Sequence, residues 1–332
     1  MTSLSHAELS GYRAAREGAA LTGVKPSGVI VLTGPDRVRF LHNLISNDVK
    51  SLRAGQSNWS AALALKGKVL AVLRCLSLES ELWLTLDPAR KDQILSHLKK
   101  YKIIDKIEFA DRSAALALVS VYGPSGSKVL EAAGAGAIDL PLGAHAAASL
   151  AGVSVRIDRS DDVTGSPGHD LYLPEASAAQ VGAALQAAGA VPLADAALEV
   201  LRIEAGWPLY GVDVTDDNFP GEVELDRAVS YTKGCFLGQE TVARIHSRGH
   251  VNRLLRGLTL DGESLPSPGS QAFVADKEVG HVTSACRSPQ FGSIALALLH
   301  RTAADPGTQL EIVAGEYRLP AKVHTLPFHQ LA

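Results

Sequence analysis

The sequence predicts an α+β chain in which two mixed halves of antiparallel sheet and helix precede a small β domain, and three observations carry that expectation. A strand, turn and helix order at Val29 to Ile45 returns at Leu116 to Leu130, which reads as a weak internal repeat. The strand-like runs between them are neighbours in sequence, so antiparallel pairing is favoured over a doubly wound parallel sheet. Beyond Asn252 the helical spacing gives way to short β-like runs separated by Gly, Pro and Ser.

The elements follow in order. Val29 to Leu32 is β-branched, Gly34-Pro35-Asp36 punctuates it, and Val38, Phe40, Leu41, Leu44 and Ile45 recur at helical spacing. Trp59 to Leu65 and Lys68 to Leu78 read as two strands around Lys66-Gly67, Leu82 to Leu86 as a third, and Pro88 to Tyr101 as an amphipathic helix. In the second half, Leu116 to Val121, Gly123-Pro124 and Val129-Leu130 repeat the opening order, and an alanine-rich helix falls near Ala176 to Ala188. A further helix begins near Ala194 and stops at Gly206, with Pro208 just beyond. The last third offers Leu255 to Leu260, Gln271 to Val274, Val279 to Ser284, Ile294 to Leu299 and Glu311 to Val313. The expected division is 1–110, 111–250 and 251–332.

Composition bounds the function. A 332-residue chain with 46% hydrophobic residues buries real cores, and a formal net charge of −3 gives no global footprint for nucleic acid or an anionic membrane. No apolar run is long enough to span a bilayer, and the first twenty residues lack the order of a signal peptide, so the expected compartment is the cytoplasm. Cys75, Cys235 and Cys286 are odd in number and far apart, which fits reduced thiols.

Three constellations are candidates for chemistry. In Tyr231 to Ile245, an extended Val229 to Cys235 projects Lys233 and Cys235 to one face, ahead of a helix that starts after Gly238. A cysteine beside an ammonium at a helix mouth is where a thiol pKa falls toward neutrality; the alternative is a small buried hydrophobe. In Leu198 to Glu222, Glu204 lies in the last helical turn, where the macrodipole disfavours a carboxylate. Either a flat ligand with two adjacent N–H donors or a neighbouring arginine compensates it, while Trp207, Tyr210 and Phe219 wall a ring or form local core. Third, Arg244, His246, Arg248, His250, Arg253 and Arg256 form a basic stretch with no acid inside it, which meets phosphates or a polyglutamate tail, or is a solvated linker. His246, His250 and Cys235 match no standard zinc spacing, and Gly123 to Lys128 is too short for a phosphate loop.

Lys233-Gly234-Cys235-Phe236-Leu237-Gly238-Gln239-Glu240 matches the signature KGCxxGQE, continued by Ala243-Arg244-Ile245 and Arg248-Gly249-His250-Val251-Asn252-Arg253. Phe40 to Leu44 with Asn47-Asp48-Val49, Leu201 to Gly206 with Pro208, and Gly280 to Ser284 add support. On these residues the chain resembles the YgfZ family, folate-binding proteins related to the aminomethyltransferase (T protein) of the glycine cleavage system. The resemblance spans nearly the whole chain. It implies a clover-leaf of two α+β domains and a C-terminal β-barrel around a central site for tetrahydrofolate or a one-carbon derivative. It makes Glu204 the counterpart of the glutamate that holds the pterin, and Lys233 with Cys235 the working pair. Arg202, Trp207, Tyr210, Gln239, Arg244 and Arg253 complete the candidate folate-binding set.

The resemblance implies an accessory role in iron–sulfur cluster assembly or repair, indirectly supporting tRNA modification, with folate and iron–sulfur client enzymes as partners. One departure bears on the alternative, a folate-dependent one-carbon transferase or demethylase. The T protein carries a catalytic acid on the strand after the counterpart of Lys66-Gly67, where this chain reads Lys68-Val69-Leu70-Ala71-Val72. A third reading, an RNA-contacting module on Arg244 to Arg256, runs against the acidic overall balance, so direct tRNA contact is not expected; neither is a metal site or a membrane.

Overall fold

Two twisted sheets stand face to face with helices on their outer sides, and a closed barrel completes the chain. The computed structural model describes residues 4–161, 163–315 and 317–328. Its helices are α1 (His6–Glu17), α2 (Arg37–Leu44), α3 (Lys91–Tyr101), α4 (Gly126–Leu130), α5 (Ala178–Ala187), α6 (Asp195–Glu204) and α7 (Gln239–Arg248).

The first sheet has five antiparallel strands in the spatial order Gln56–Leu63, Val69–Ser77, Leu82–Leu86, Gly28–Thr33, Glu108–Asp111. Because side chains alternate, Ile30, Leu32, Leu73, Cys75 and Leu84 face α2 and α3, meeting Phe40, Leu41, Ile94 and Leu98. Val29, Val31, Leu76 and Trp83 face the other way, against Tyr172, Leu116 and Leu118 of the second sheet. Burial on both faces explains why these strands read as continuous apolar runs rather than as alternating ones. Cys75 is fully buried here, and burial pushes its thiol up to about 12, so it is an inert core residue.

In the second sheet the order is Val191–Leu193, Ala20–Thr22, Leu116–Tyr122, Gly168–Pro174, Val153–Arg159, His145–Leu150, with Lys25–Pro26 also pairing against Leu116–Tyr122. All pairings are antiparallel except that of Ala20–Thr22 with Val191–Leu193. Residues 20–26 thus leave the N-terminal third to join strands from the middle of the chain. Val181 and Leu185 of α5 close its outer core against Val119, Leu171 and Leu173. The repeat is visible as two identical strand exits: Gly34 at φ +97° and Gly123 at φ +118° each turn a strand into a short helix, and a Cβ on either would meet backbone within 2.4 Å.

Six antiparallel strands close the barrel in the order Arg253–Leu260, Gly292–His300, Lys277–Ser288, Gln271–Val274, Gln309–Ala314, Tyr317–His324. The α+β class with a terminal β-barrel is therefore as the sequence predicts. Elements that the sequence reading passed over are α1, the strands at 20–22, 25–26, 108–111, 145–150, 153–159, 168–174 and 191–193, and the last barrel strand. Among the described residues no helix is long and apolar enough to cross a membrane.

Candidate functional site

Between the two sheets, under the end of α6, lies a cavity of about 450 Å³, within the range of small-molecule sites. One wall comes from the second sheet, where the period of two brings Ser120 and Tyr122, and next to them Asp170 and Tyr172, to the same face. Trp59, Val72 and Thr85 of the first sheet form the opposite wall, and Glu199, Arg202, Trp207 and Tyr210 the third.

Cross-strand registry decides the electrostatics of the second-sheet wall. Asp170 lies opposite Ser120 on one neighbour and opposite Asp158 on the other, so Ser120, Asp170 and Asp158 form a row. Asp158 is fully buried and neutralised by Arg74, whose Nε and Nη2 both donate to it; Ser57 Oγ donates to it at 2.5 Å. Asp170 receives one hydroxyl, Ser120 Oγ at 2.5 Å. Burial, with the Asp158 charge adding to it, pushes the Asp170 carboxyl up to about 6. The Tyr172 hydroxyl is 2.9 Å from Thr85 Oγ1 across the cavity floor, which ties the two sheets together.

The third wall is set by how α6 ends. Gly206 adopts φ +66°, and a Cβ there would meet Leu326 at 2.7 Å, so the chain turns sharply and delivers Trp207 against Trp59, with ring centroids 4.6 Å apart. Arg202 is buried and holds the turn. It donates to the Trp207 carbonyl at 2.8 Å, to Asp213 at 2.7 Å, to Ser284 Oγ at 2.9 Å and to Glu199. The Tyr210 hydroxyl donates to Asp216 and accepts from Arg90 Nη2 at 2.7 Å. Of the sequence-derived candidates, Arg202, Trp207 and Tyr210 line the cavity.

Glu204 does not. Its carboxylate points to the opposite side of α6, fully buried, and is taken up by Tyr12 Oη at 2.9 Å, Ser288 Oγ at 2.5 Å and the Arg16 guanidinium. The compensation expected for an acid in the last helical turn is thus an arginine from α1, rather than a ligand. Arg16 continues to the Thr164 carbonyl and Ser166 Oγ, both at 3.0 Å, so Glu204 locks three parts of the chain together.

The Lys233–Cys235 pair is likewise corrected. Val229 to Cys235 is bent rather than extended, and the two side chains diverge: Lys233 is buried and Cys235 is exposed. Lys233 Nζ donates to the carbonyls of His42 at 2.5 Å, Ile45 at 2.7 Å and Asn47 at 2.7 Å, open acceptors in the last turn of α2 and just beyond it. Burial brings its pKa down to about 8. Neither residue lines the cavity. The rest of the signature serves the same docking. Leu237 N–H donates to Asn43 at 2.9 Å, and Gly238, at φ +83°, leaves no room for a Cβ, which would lie 2.7 Å from the Ala64 carbonyl and 3.0 Å from Gly67.

Gln239 begins α7 and Arg244 is exposed on it, both away from the cavity. Arg253 pairs with Glu222 and Arg256 with Glu224, so these two arginines of the basic stretch are held by acids from the preceding loop. His246 stacks on Tyr231 with centroids 3.7 Å apart. The side chain of Arg248 lies outside the described residues.

The sequence reading missed Asp170, Glu199, Trp59, Tyr122 and Tyr172. A signal was present for two of them. In Gly168–Pro174 the apolar Leu171 and Leu173 alternate with Asp170 and Tyr172, a period-two pattern that puts both on the face opposite the core. Of the segment Lys68 to Val72, where a transferase acid was sought, Val72 is the residue that lines the cavity.

Residues 3–233 match the family model described as GCVT N-terminal domain, and residues 253–330 the glycine cleavage T-protein C-terminal barrel domain. The aminomethyltransferase of Listeria monocytogenes serotype 4b (strain F2365) is 30% identical over 328 residues, covering 97% of this chain and 89% of its own. That of Symbiobacterium thermophilum is 28% identical over 332 residues, covering 96% and 88%. The structure of glycine cleavage system aminomethyltransferase T from Bartonella henselae superposes with a TM-score of 0.86 at 24% identity, covering 96% of this chain and 89% of that one, and so shares its fold.

Proposed function

We propose, since the chain belongs to the glycine cleavage T-protein family, that it binds tetrahydrofolate in the cavity between its two sheets and works as a folate-dependent one-carbon transferase. The observation that carries this is the pairing, in one cavity, of Trp59 and Trp207, in contact with their rings tilted by 49°, with a half-buried carboxylate, Asp170, that has a single hydroxyl donor. An aminopyrimidine edge presents two adjacent N–H donors, which a carboxylate accepts together. Flat rings pack on tryptophan and tyrosine faces. A cavity of about 450 Å³ has room for such a group. When bound, the folate supplies a nitrogen that carries the one-carbon unit. Asp170 holds the ring edge, Trp207 and Trp59 orient the ring plane, and Arg202 keeps Trp207 in place through its carbonyl.

The test is a titration of tetrahydrofolate followed by tryptophan fluorescence and calorimetry. Saturable binding at micromolar or tighter affinity, with quenching removed by Trp207→Phe, is the expected result; no binding up to millimolar ligand sinks the reading.

A second reading is favoured by the KGCFLGQE segment and the exposure of Cys235. In it the folate cavity belongs to an accessory protein of iron–sulfur metabolism, and Cys235 meets a client enzyme on the outer surface, apart from the cavity. Cys235→Ser is then expected to leave tetrahydrofolate affinity unchanged while lowering the activity of iron–sulfur enzymes in cells that depend on this chain. Unchanged iron–sulfur activity in that variant leaves the transferase reading alone.

A further inference from the structure

The two most exposed large apolar side chains of the described residues are neighbours. Ile103 and Ile104 are 85% and 87% exposed, and they form the bend between α3 and Glu108–Asp111, the edge strand of the first sheet. Side chains of adjacent residues point apart, so two that are both bare mark a projecting tip rather than one wall of a groove. Its base is fixed, because Ile107 is buried and Ile94 and Leu98 fasten α3 to the sheet. Lys99, Lys100, Lys102 and Lys106 stand within four residues of the pair, all exposed, and among the described residues none of the four is in an ion pair. The acids nearby are mostly taken. Arg39 holds Asp105 at 2.7 Å and Asp36 at 3.3 Å, and Lys91 holds Asp92 and Asp111. Glu108 alone faces the four ammonium groups without a partner of its own. On a chain of formal net charge −3 this cationic patch is local.

We infer that the tip docks the protein on an anionic lipid surface, with Ile103 and Ile104 entering the headgroup layer and the four lysines lying over the phosphates. Charge selects an acidic occupant. Shape selects a bilayer over an acidic protein: a projecting tip needs a pocket of matching form in a protein partner, whereas a lipid surface admits it anywhere, and lysine stems lie along the apolar layer with their ammonium groups at phosphate level. The contact is separate from the cavity. Pro88, which lines the cavity, lies at the other end of α3, whose 11 residues are about 16 Å long. Two apolar side chains and four lysines give a reversible attachment no stronger than that of a single acyl chain, about 10⁴ M⁻¹.

The test is co-flotation of the full chain with vesicles of phosphatidylcholine, alone or with about one-third phosphatidylglycerol. At about 0.1 M salt, charges more than about 10 Å apart are screened, so the acids elsewhere on the chain do not oppose the contact. The expected result is a partition constant of about 10³–10⁴ M⁻¹ on the anionic vesicles, at least about tenfold less on the neutral ones, and release at about 0.5 M salt. Lys100→Gln with Lys102→Gln should weaken binding about twentyfold, since each lysine near an anionic surface contributes about fivefold. Ile103→Ser with Ile104→Ser should weaken it about tenfold and keep the wild-type melting temperature, because both side chains are bare. A control, Lys277→Gln with Lys322→Gln on the barrel, should bind within about twofold of wild type. Wild type that stays in the aqueous fraction overturns the inference and leaves the patch to an acidic protein. An isoleucine variant that floats as well as wild type also overturns it, because the contact is then adsorption of charge without insertion. A barrel variant that loses as much as the tip variants overturns the assignment to this loop.

Discussion

Asp170→Asn is expected to weaken tetrahydrofolate binding about 100-fold, the loss of about 3 kcal/mol that accompanies removal of a charge-assisted, two-pronged hydrogen bond. The amide presents an NH₂ toward donors that the carboxylate accepted, so the replacement is repulsive rather than neutral. Glu204→Gln makes the contrast. Its carboxylate is spent on Tyr12, Arg16 and Ser288, so the variant should lose melting temperature while changing affinity less than threefold. A second readout is pH. With its carboxyl raised to about 6, Asp170 accepts two donors only above that value, and affinity should fall as pH drops below 6; the asparagine variant should show no such slope. Stability moves the other way. A folded-state carboxyl raised above its unfolded range contributes stability that is present below pH 4 and is lost as pH rises through about 6. The group accounts for up to about 3 kcal/mol between those limits. Subtracting the Asp170→Asn profile isolates it from the other carboxylates. An asparagine variant that binds within threefold of wild type would falsify the placement of the pteridine against Asp170.

The sequence disclosed elements whose signals are local. Gly34-Pro35-Asp36 and Gly123-Pro124-Ser125 announce their turns because backbone crowding at each glycine leaves no alternative. The stop of α6 at Gly206 was legible for the same reason. What stayed hidden was tertiary. Whether Glu204 or Glu199 faces a ligand depends on which side of α6 meets the cavity and which meets α1, and no spacing within the helix reveals that α1 supplies Arg16. Similarly, Lys233 and Cys235 fall on one face only if the segment is extended. The three carbonyls at the end of α2 bend it, and they come from residues 186 to 191 positions earlier in the chain. Asp170 escaped notice because one acid in a short strand carries no motif; its character comes from burial, from a neighbour strand that places Asp158 beside it and from Arg74, whose hydrogen bonds go to Asp158.

Lys233→Met should destabilise the protein by about 3–5 kcal/mol, the largest stability effect expected of any change in the KGC segment. The methionine fills the same channel beside Phe236, so the loss is polar rather than steric. It leaves the carbonyls of His42, Ile45 and Asn47 without the donor that satisfied all three, at a position where the end of α2 already concentrates negative potential. An unsatisfied buried acceptor costs about 1–3 kcal/mol, and partial entry of water keeps the total below three full penalties. Lys233→Arg should not rescue it, because a planar fork cannot point at three converging carbonyls as a compact ammonium does. Cys235→Ser, two residues on and exposed, should change stability by less than about 0.5 kcal/mol. The pair separates two roles for one motif. If the lysine served to ionise the thiol, Lys233→Met would slow Cys235 alkylation at neutral pH and leave the melting curve in place. If it serves as a cap, the melting curve shifts by many degrees while alkylation of the folded variant keeps its wild-type pH dependence. The three bonds to carbonyls and the divergence of the side chains support the second outcome, and a melting temperature unchanged in Lys233→Met would refute it.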